Sequence, residues 1–368
     1  MRAVLSIISL VAALLSVSCK PAEQNGRWSE ERANEWWSRQ EWPVGCNYVP
    51  SYAINQIEFW QPETFDEKVI DHELGLAESL GFNTLRIYLH EILWQADREG
   101  YKQRIDRFMD IAQRHGQKLI ITFFTNGGFY NDPRLGEQPQ PVDGVHSSNW
   151  IQSPGSHIVN DPSAWAPLKE YIQDILTTYK DSDRVLYWCL YNEPENLRSG
   201  GDNKPSAESL PLLKEVFRWA REVDPSQPLS SPIWIRPGQK GATTKLDIVS
   251  WICDNVDIIT FHCYYDDELE TYISMLKRLN RPMVCQEYMG RPKSTFQYSL
   301  PIFKREKIGA ISWGLVRGKC GFFMPWGSCA GDPMPKVWFH DIFNPDDTPY
   351  DADEIEFIKS LTLCDNDK

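Results

Sequence analysis

The chain has 368 residues, 42% of them hydrophobic, which is enough for one large core or two smaller ones. Its formal net charge of −13 has no compensating run of Lys or Arg, which excludes the phosphate-neutralising surface of a nucleic-acid binder. With 15 Trp, 15 Tyr and 16 Phe it suits a neutral ligand better, and 25 Pro and 22 Gly spread along the chain argue against a long disordered linker.

Residues 1–18, "MRAVLSIISLVAALLSVS", carry one Arg and then a run of apolar and small residues, the pattern of a signal peptide. The run is short for a spanning helix, which needs about 20 apolar residues. Cys19 directly after "SVS" resembles the lipid-acceptor cysteine of bacterial lipoproteins, with Ser16 where Leu is commonest in that motif; an ordinary secretory cut near Ser18 is the alternative. Either way the chain is expected to be exported; lipidated, it is a cell-envelope lipoprotein of the periplasm or outer-membrane surface that touches the membrane only through its anchor. Residues 19–41 read as a tether and a helix, in which the spacing of Trp28, Trp36 and Trp37, followed by Trp42, predicts packing and no ligand contact.

From residue 42 to residue 365 the pattern predicts a single domain. Short apolar runs at 42–48, 83–89, 118–124, 185–191, 228–234, 256–261, 282–286 and 310–315 alternate with amphipathic stretches such as "FDEKVIDHELGLAESLG" and "YKQRIDRFMDIAQRHG". Eight strand-helix units predict an α/β fold of the (β/α)8 TIM-barrel type, in which chemistry sits at the C-terminal strand ends. A doubly wound sheet would be expected to carry a Gly-rich phosphate turn after its first strand, and "GCNYVPSY" is not one. Cys46, Cys189, Cys263 and Cys285 lie in or beside apolar strands and read as core filling, whereas Cys320 and Cys329 flank a loop that a disulfide could close.

The strand ends carry Asn47 and Tyr48, Arg86 and His90, Thr125 and Asn126, Asn192 and Glu193, Trp234, His262 and Tyr264, Glu287, and Trp313. Strand alternation places Cys189, Tyr191 and Glu193 on one face, and Met283, Cys285 and Glu287 likewise, so each Glu is expected to follow small neighbours into the barrel. Two carboxylates facing each other can cleave a glycosidic bond, one as proton donor and the other as nucleophile or activator of water. Asn192 is placed to bond a sugar 2-hydroxyl, which slightly favours glucose or xylose over mannose. Arg86 would keep the nucleophile ionised, and Trp313 or Trp234 would stack on a sugar face. Trp60, in the long loop after the first strand, is a further candidate for a subsite.

"YNEP", "FHCYY", "CQEYMG" and "ISWG", at the fourth, sixth, seventh and eighth strand ends, together resemble the retaining clan A glycoside hydrolases, closest to family 5 of the cellulase, mannanase and xylanase type. The resemblance implies Glu193 as acid/base, Glu287 as nucleophile, and Arg86, His262, Tyr264 and Trp313 as site residues. It implies a β-linked glycan as partner, and neither cofactor nor metal. Family 5 usually has a His at the third strand end; here Thr125 and Asn126 occupy that corner, and His90 is the candidate to substitute, with a structural histidine as the alternative reading. Metal hydrolysis on the same barrel would need clustered His and Asp, and the 7 His are scattered. A non-catalytic glycan-binding lipoprotein is the functional alternative, weakened by the presence of both glutamates. A monomer is the simplest expectation for an anchored chain.

Overall fold

Nine parallel strands form the sheet: β1 (Val44–Asn47), β2 (Thr84–Tyr88), β3 (Lys118–Thr125), β4 (Val185–Asn192), β5 (Leu229–Ser230), β6 (Pro232–Ile233), β7 (Ile259–His262), β8 (Met283–Tyr288) and β9 (Gly309–Trp313). This computed structural model describes residues 26–127, 133–196, 208–234 and 246–363, so the signal segment 1–18, Cys19 and the predicted domain end at residue 365 lie outside the described residues. The sheet order β5-β4-β3-β2-β1-β9-β8-β7-β6 runs from one short strand to its sequence neighbour. Only Ser231 separates these two ends, so the covalent chain completes the ring and the fold is the expected (β/α)8 barrel.

The fifth predicted strand is split because Pro232 has no backbone donor for the ladder. The Ser231 hydroxyl supplies a substitute, donating to the Tyr191 carbonyl at 2.6 Å. Around the barrel, helices bury one stripe each. In Glu67–Ser79 the buried Ile70, Leu74 and Ala77 recur at helical spacing, and the Asp66 side chain caps the first turn by accepting from the Lys68 and Val69 amides.

The barrel interior is filled by Ile120, Tyr187, Cys189, Ile258, Val284 and Ile311, with Trp36 and Trp37 packed against this cluster. Those two rings come from the helix Glu30–Ser38, and the Trp37 indole donates to the Lys307 carbonyl, just before β9 begins. The N-terminal tryptophans therefore plug the end of the barrel opposite the site.

Cys46, Cys189, Cys263 and Cys285 are buried and free, as core filling requires. Cys320 and Cys329 are also unbridged: Cys320 is buried with its thiol 3.2 Å from the Ala53 and Ile54 carbonyls, while Cys329 is exposed. Among the described residues no helix is long and apolar enough to cross a membrane.

The long segments after β3 and β9 interlock beside the C-terminal strand ends. The Ser147 amide donates to the Cys320 carbonyl at 2.8 Å, the Gly331 amide to Asp143 at 2.9 Å, and His146 Nδ1 to Met324 at 2.6 Å. An antiparallel bridge between Thr125 and Ser153 returns the first segment to the top of β3.

Candidate active site

Arg86, in the middle of β2, is fully buried and organises the barrel mouth. Its Nη1 donates to Glu287 Oε1 at 2.7 Å, to Asn47 Oδ1 at 2.8 Å and to the Tyr88 hydroxyl at 2.6 Å. Nη2 donates to Asn192 Oδ1 at 2.5 Å, and Nε to Thr122 at 3.1 Å. A planar guanidinium with five donors can hold such a set in fixed directions, which an ammonium cannot.

Glu287 ends β8 with both oxygens engaged. Oε1 accepts from Arg86 and, at 3.0 Å, from the Tyr88 hydroxyl; Oε2 accepts from the Tyr264 hydroxyl at 2.8 Å and lies 3.3 Å from His262 Nδ1. Burial by itself would raise this carboxyl. His262, Arg86 and hydrogen bonds from Trp313 and Tyr264 together outweigh burial and hold it below the ordinary carboxylate range.

Glu193 sits across the mouth. Its Oε1 is 2.8 Å from His262 Nδ1, and its Oε2 accepts from the Asn196 amide at 2.8 Å. The proton on His262 can be located. Tyr187 donates to Gln286 Oε1 at 2.8 Å, which turns the Gln286 amide nitrogen toward His262 Nε2 at 3.4 Å. Nε2 is then the acceptor and Nδ1 carries the hydrogen toward both carboxylates. Among the described residues, Glu193, His262 and Glu287 are the one acidic or imidazole trio that converges, with ligand atoms within 4.8 Å of one another.

Neither glutamate reaches the mouth by strand alternation. Cys189 does face the interior, but Tyr191 packs in the outer layer against Phe124. Glu193 comes back over the barrel because its φ is +47°. On β8 it is Val284 that faces inward, while Met283 and Cys285 belong to the helix-facing layer. Register shifts between Phe261 and His262 and between Cys285 and Tyr288 then let Gln286 and Glu287 both point inward. The shared-parity expectation is therefore corrected: Glu193 ends on the side of Cys189 although Tyr191 between them turns outward, and Glu287 departs from Met283 and Cys285.

Asn126 is also corrected from sugar contact to scaffold. Its Nδ2 donates to the Pro194 carbonyl at 3.1 Å and Ser209 Oγ at 2.7 Å, and its Oδ1 accepts from Gln152 at 2.7 Å and Tyr191 at 2.9 Å. Its amide valences are filled, and they clamp the turn that carries Glu193. Next to it, Gly127 has φ +89°, and a Cβ there would meet Asn196 Nδ2 at 2.7 Å. Asn47 is likewise scaffold, donating to the Gln286 and Ser312 carbonyls at 2.8 Å while accepting from Arg86.

Two further expectations fail. Trp60 is fully buried, stacked on Phe59 at 4.0 Å, with its indole donating to the Tyr88 carbonyl at 2.8 Å. Its bulk belongs to the core because the segment after β1 turns outward into a short helix. His90 is also fully buried and caps the helix Glu91–Ala96, its Nδ1 accepting from the Ile92 amide, so it does not replace the missing third-strand His. Trp234 is half-buried at the end of β6, where its backbone amide donates to Glu195 at 2.6 Å.

Tyr88 is the residue that reading by strand end missed. It stacks on Trp313 at 5.8 Å besides bonding Arg86 and Glu287. Its parity with Arg86 was the available signal. Asn192 keeps the predicted place, but Arg86 and Thr125 engage both ends of its amide, so the geometry gives no support to a preference for an equatorial 2-hydroxyl.

A (β/α)8 barrel whose mouth opposes two nearly buried glutamates, one held ionised by arginine, defines a class of paired-carboxylate barrels. Within that class, the family model described as Cellulase (glycosyl hydrolase family 5) matches residues 49–315, and the chain belongs to that family. Over 92 residues it is 33% identical to the probable mannan endo-1,4-beta-mannosidase A-2 of Aspergillus terreus, covering 25% of this chain and 21% of that protein. Over 194 residues it is 25% identical to mannan endo-1,4-beta-mannosidase 5 of Solanum lycopersicum, covering 45% of this chain and 42% of that one. The chain thus spans well under half the length of these curated relatives. A GH5_18 protein from Streptomyces cattleya, solved with Manβ1-4GlcNAc, superposes with a TM-score of 0.60 at 12% identity, covering 89% of this chain and 81% of that one. The endo-1,4-beta-mannanase of Rhizomucor miehei gives 0.56 at 15% identity, covering 85% and 93%. These likenesses share the fold.

Proposed function

We propose that the chain is a retaining glycoside hydrolase acting on β-1,4-linked mannosides, with Glu287 as nucleophile and Glu193 as acid/base. The observation that carries this reading is that one oxygen of each carboxylate and a His262 nitrogen lie within 4.8 Å of one another, close enough for the shorter of the two known spacings. Retaining enzymes hold their carboxyl groups about 5–5.5 Å apart, against about 6.5–9.5 Å in inverting ones that leave room for a water.

In the first step Glu193 gives its proton to the bridging oxygen as Glu287 attacks the anomeric carbon and the C–O bond breaks. In the second, Glu193 takes a proton from water, which displaces Glu287 and returns both groups to their starting state. Arg86, Tyr264 and Tyr88 keep Glu287 ionised and aimed. His262 Nδ1–H lies between the two oxygens whose charge exchanges during the cycle. The mannoside preference is supported by the curated relatives, which are mannan endo-1,4-beta-mannosidases. It replaces the weak sequence preference for glucose or xylose.

The test is hydrolysis of a panel of aryl β-glycosides and β-1,4-mannooligosaccharides, with Glu287→Ala alongside. Release from mannosides that the variant lacks is expected. Turnover confined to another sugar would overturn the substrate, and full activity in the variant would overturn the nucleophile. We further propose export and lipid anchoring at Cys19, and a monomeric state, supported by the first 19 residues alone; metabolic labelling with a fatty acid, lost in Cys19→Ala, tests the anchor.

A further inference from the structure

Arg317, in the loop after β9, is half-buried, and its Nε is shut off from solvent with no acceptor. Among the described residues neither Nη takes part in a hydrogen bond or an ion pair. A guanidinium carries five donors, and leaving them without acceptors in a partly buried place is unfavourable. What holds the side chain is aromatic. Its guanidinium carbon stands 5.3 Å from the Trp338 ring centre and 5.7 Å from that of Phe323, and Trp338 is itself stacked on Tyr350 at 4.9 Å. These rings support the plane of the fork and leave its N–H edge unused.

The backbone beneath is pinned on both sides. The Arg317 amide donates to the Phe343 carbonyl at 2.9 Å, and the Lys319 amide to the Ser51 carbonyl at 2.9 Å. At Gly318, between them, a Cβ would come 2.3 Å from the Ser51 carbonyl oxygen, so glycine is what lets the loop after β9 close on the loop after β1. Where the two loops meet they leave a cleft of about 380 Å³, lined by Ser51, Tyr52, Arg317, Lys319, Phe323 and Pro345. None of these residues belongs to the barrel mouth. The cleft is formed before any ligand arrives, so little ordering is lost on binding.

Charge at the cleft suits an anion. Lys319 adds a second cation at the wall, held by Glu58 at 2.6 Å. The carboxyls whose charge Arg317 feels are Asp341 and Asp346. Burial pushes Asp341 up to about 8, so it is mostly neutral at pH 7. Asp346 accepts from the Thr348 hydroxyl at 2.6 Å and the Thr348 amide at 3.2 Å. Neither carboxyl is within ion-pair distance of the guanidinium, whose fork stays open.

We propose that this cleft binds a small oxyanion, a carboxylate or phosphate group received by the Arg317 fork between the loops after β1 and β9. The planar fork matches two oxygens of such a group, and charge-assisted bonds of this kind are the strong ones. The proposal does not depend on the glycoside hydrolase reading, since the cleft shares no residue with the two glutamates or their partners.

The test titrates sodium phosphate and sodium succinate into the full chain, each against sodium chloride at equal ionic strength, while nitrogen NMR follows the arginine Nε–Hε signals. The Arg317 signal, assigned by its loss in Arg317→Lys, is expected to move with phosphate or succinate and not with chloride. The same anion should raise the melting temperature of the parent, and in Arg317→Gln that rise should disappear as affinity falls at least about tenfold. A stronger response to phosphate makes the ligand a phosphate, and a stronger response to succinate makes it a carboxylate; either upholds the site. An Arg317 signal that answers neither anion beyond chloride overturns it, as does an equal melting shift in the parent and in Arg317→Gln.

Discussion

Arg86 and Glu287 form an ion pair of 2.7 Å in which neither side chain has more than 5% exposure. Breaking a buried pair from one side costs about 3–5 kcal/mol, because the remaining charge stays buried without a partner. Arg86→Ala is expected to lose that much in urea unfolding and to abolish turnover. Arg86→Lys keeps the charge but not the fork to Asn47, Asn192 and Tyr88, and kcat should still fall by more than about tenfold. Because the folded carboxyl is held low, its contribution to stability is present above the unfolded value of about 4.3 and is lost as pH falls through the folded value. The acid side of the unfolding curve should therefore flatten in Arg86→Ala.

The division of labour proposed for the glutamates makes a leaving-group prediction. General acid catalysis is worth about 10²–10⁴-fold. Glu193→Ala should lose about that much on an oligosaccharide but retain most of its glycosylation rate on an aryl mannoside with an acidic phenol, which needs no proton. Glu287→Ala should fail on both. Steady-state and burst kinetics on the two substrates check this, and equal losses for both substrates in Glu193→Ala would reverse the assignment.

Asn126 separates scaffold from ligand contact. Asn126→Ala removes four hydrogen bonds beneath the Glu193 turn, each worth about 1 kcal/mol net. Expected are a lower melting temperature and a lower kcat, with KM within about twofold of the parent. A raised KM at unchanged stability would restore Asn126 to the sugar.

Asp341 lies near Gly314, just after β9, and burial pushes it up to about 8 against Arg291, the Phe323 backbone and Arg317. The unfolded chain gives up this proton at about 3.9, so stability falls as pH rises from about 4 to about 8. Asp341→Asn stays neutral and should melt about 2–4 °C above the parent at pH 8, with little or no gain at pH 4.

The sequence by itself determined the barrel, its strand positions and the place of Asn192, Glu193, His262 and Glu287 at the strand ends. Apolar runs of strand length followed by polar residues are local features, and Asn192, Glu193, His262 and Glu287 stand where those runs end. What it could not determine was direction. His90 and Asn126 follow strands as the mouth residues do, and Trp60 lies in the segment after β1, but each found partners in the helix layer or in the turn behind the site. Tyr88 went unread although it shares a face with Arg86.

The two glutamates show the physical reason. Alternation alone would carry each inward with Tyr191 and with Cys285, yet Tyr191 and Cys285 face the helix layer and the glutamates still reach the mouth. The positive φ at Glu193 is held by Asn126 and Asn196, and the register shifts around Glu287 arise from pairing β8 with both β7 and β9. Hydrogen bonds between segments far apart in the chain outweigh the local backbone preference, so the aim of each carboxylate is fixed only when the barrel closes.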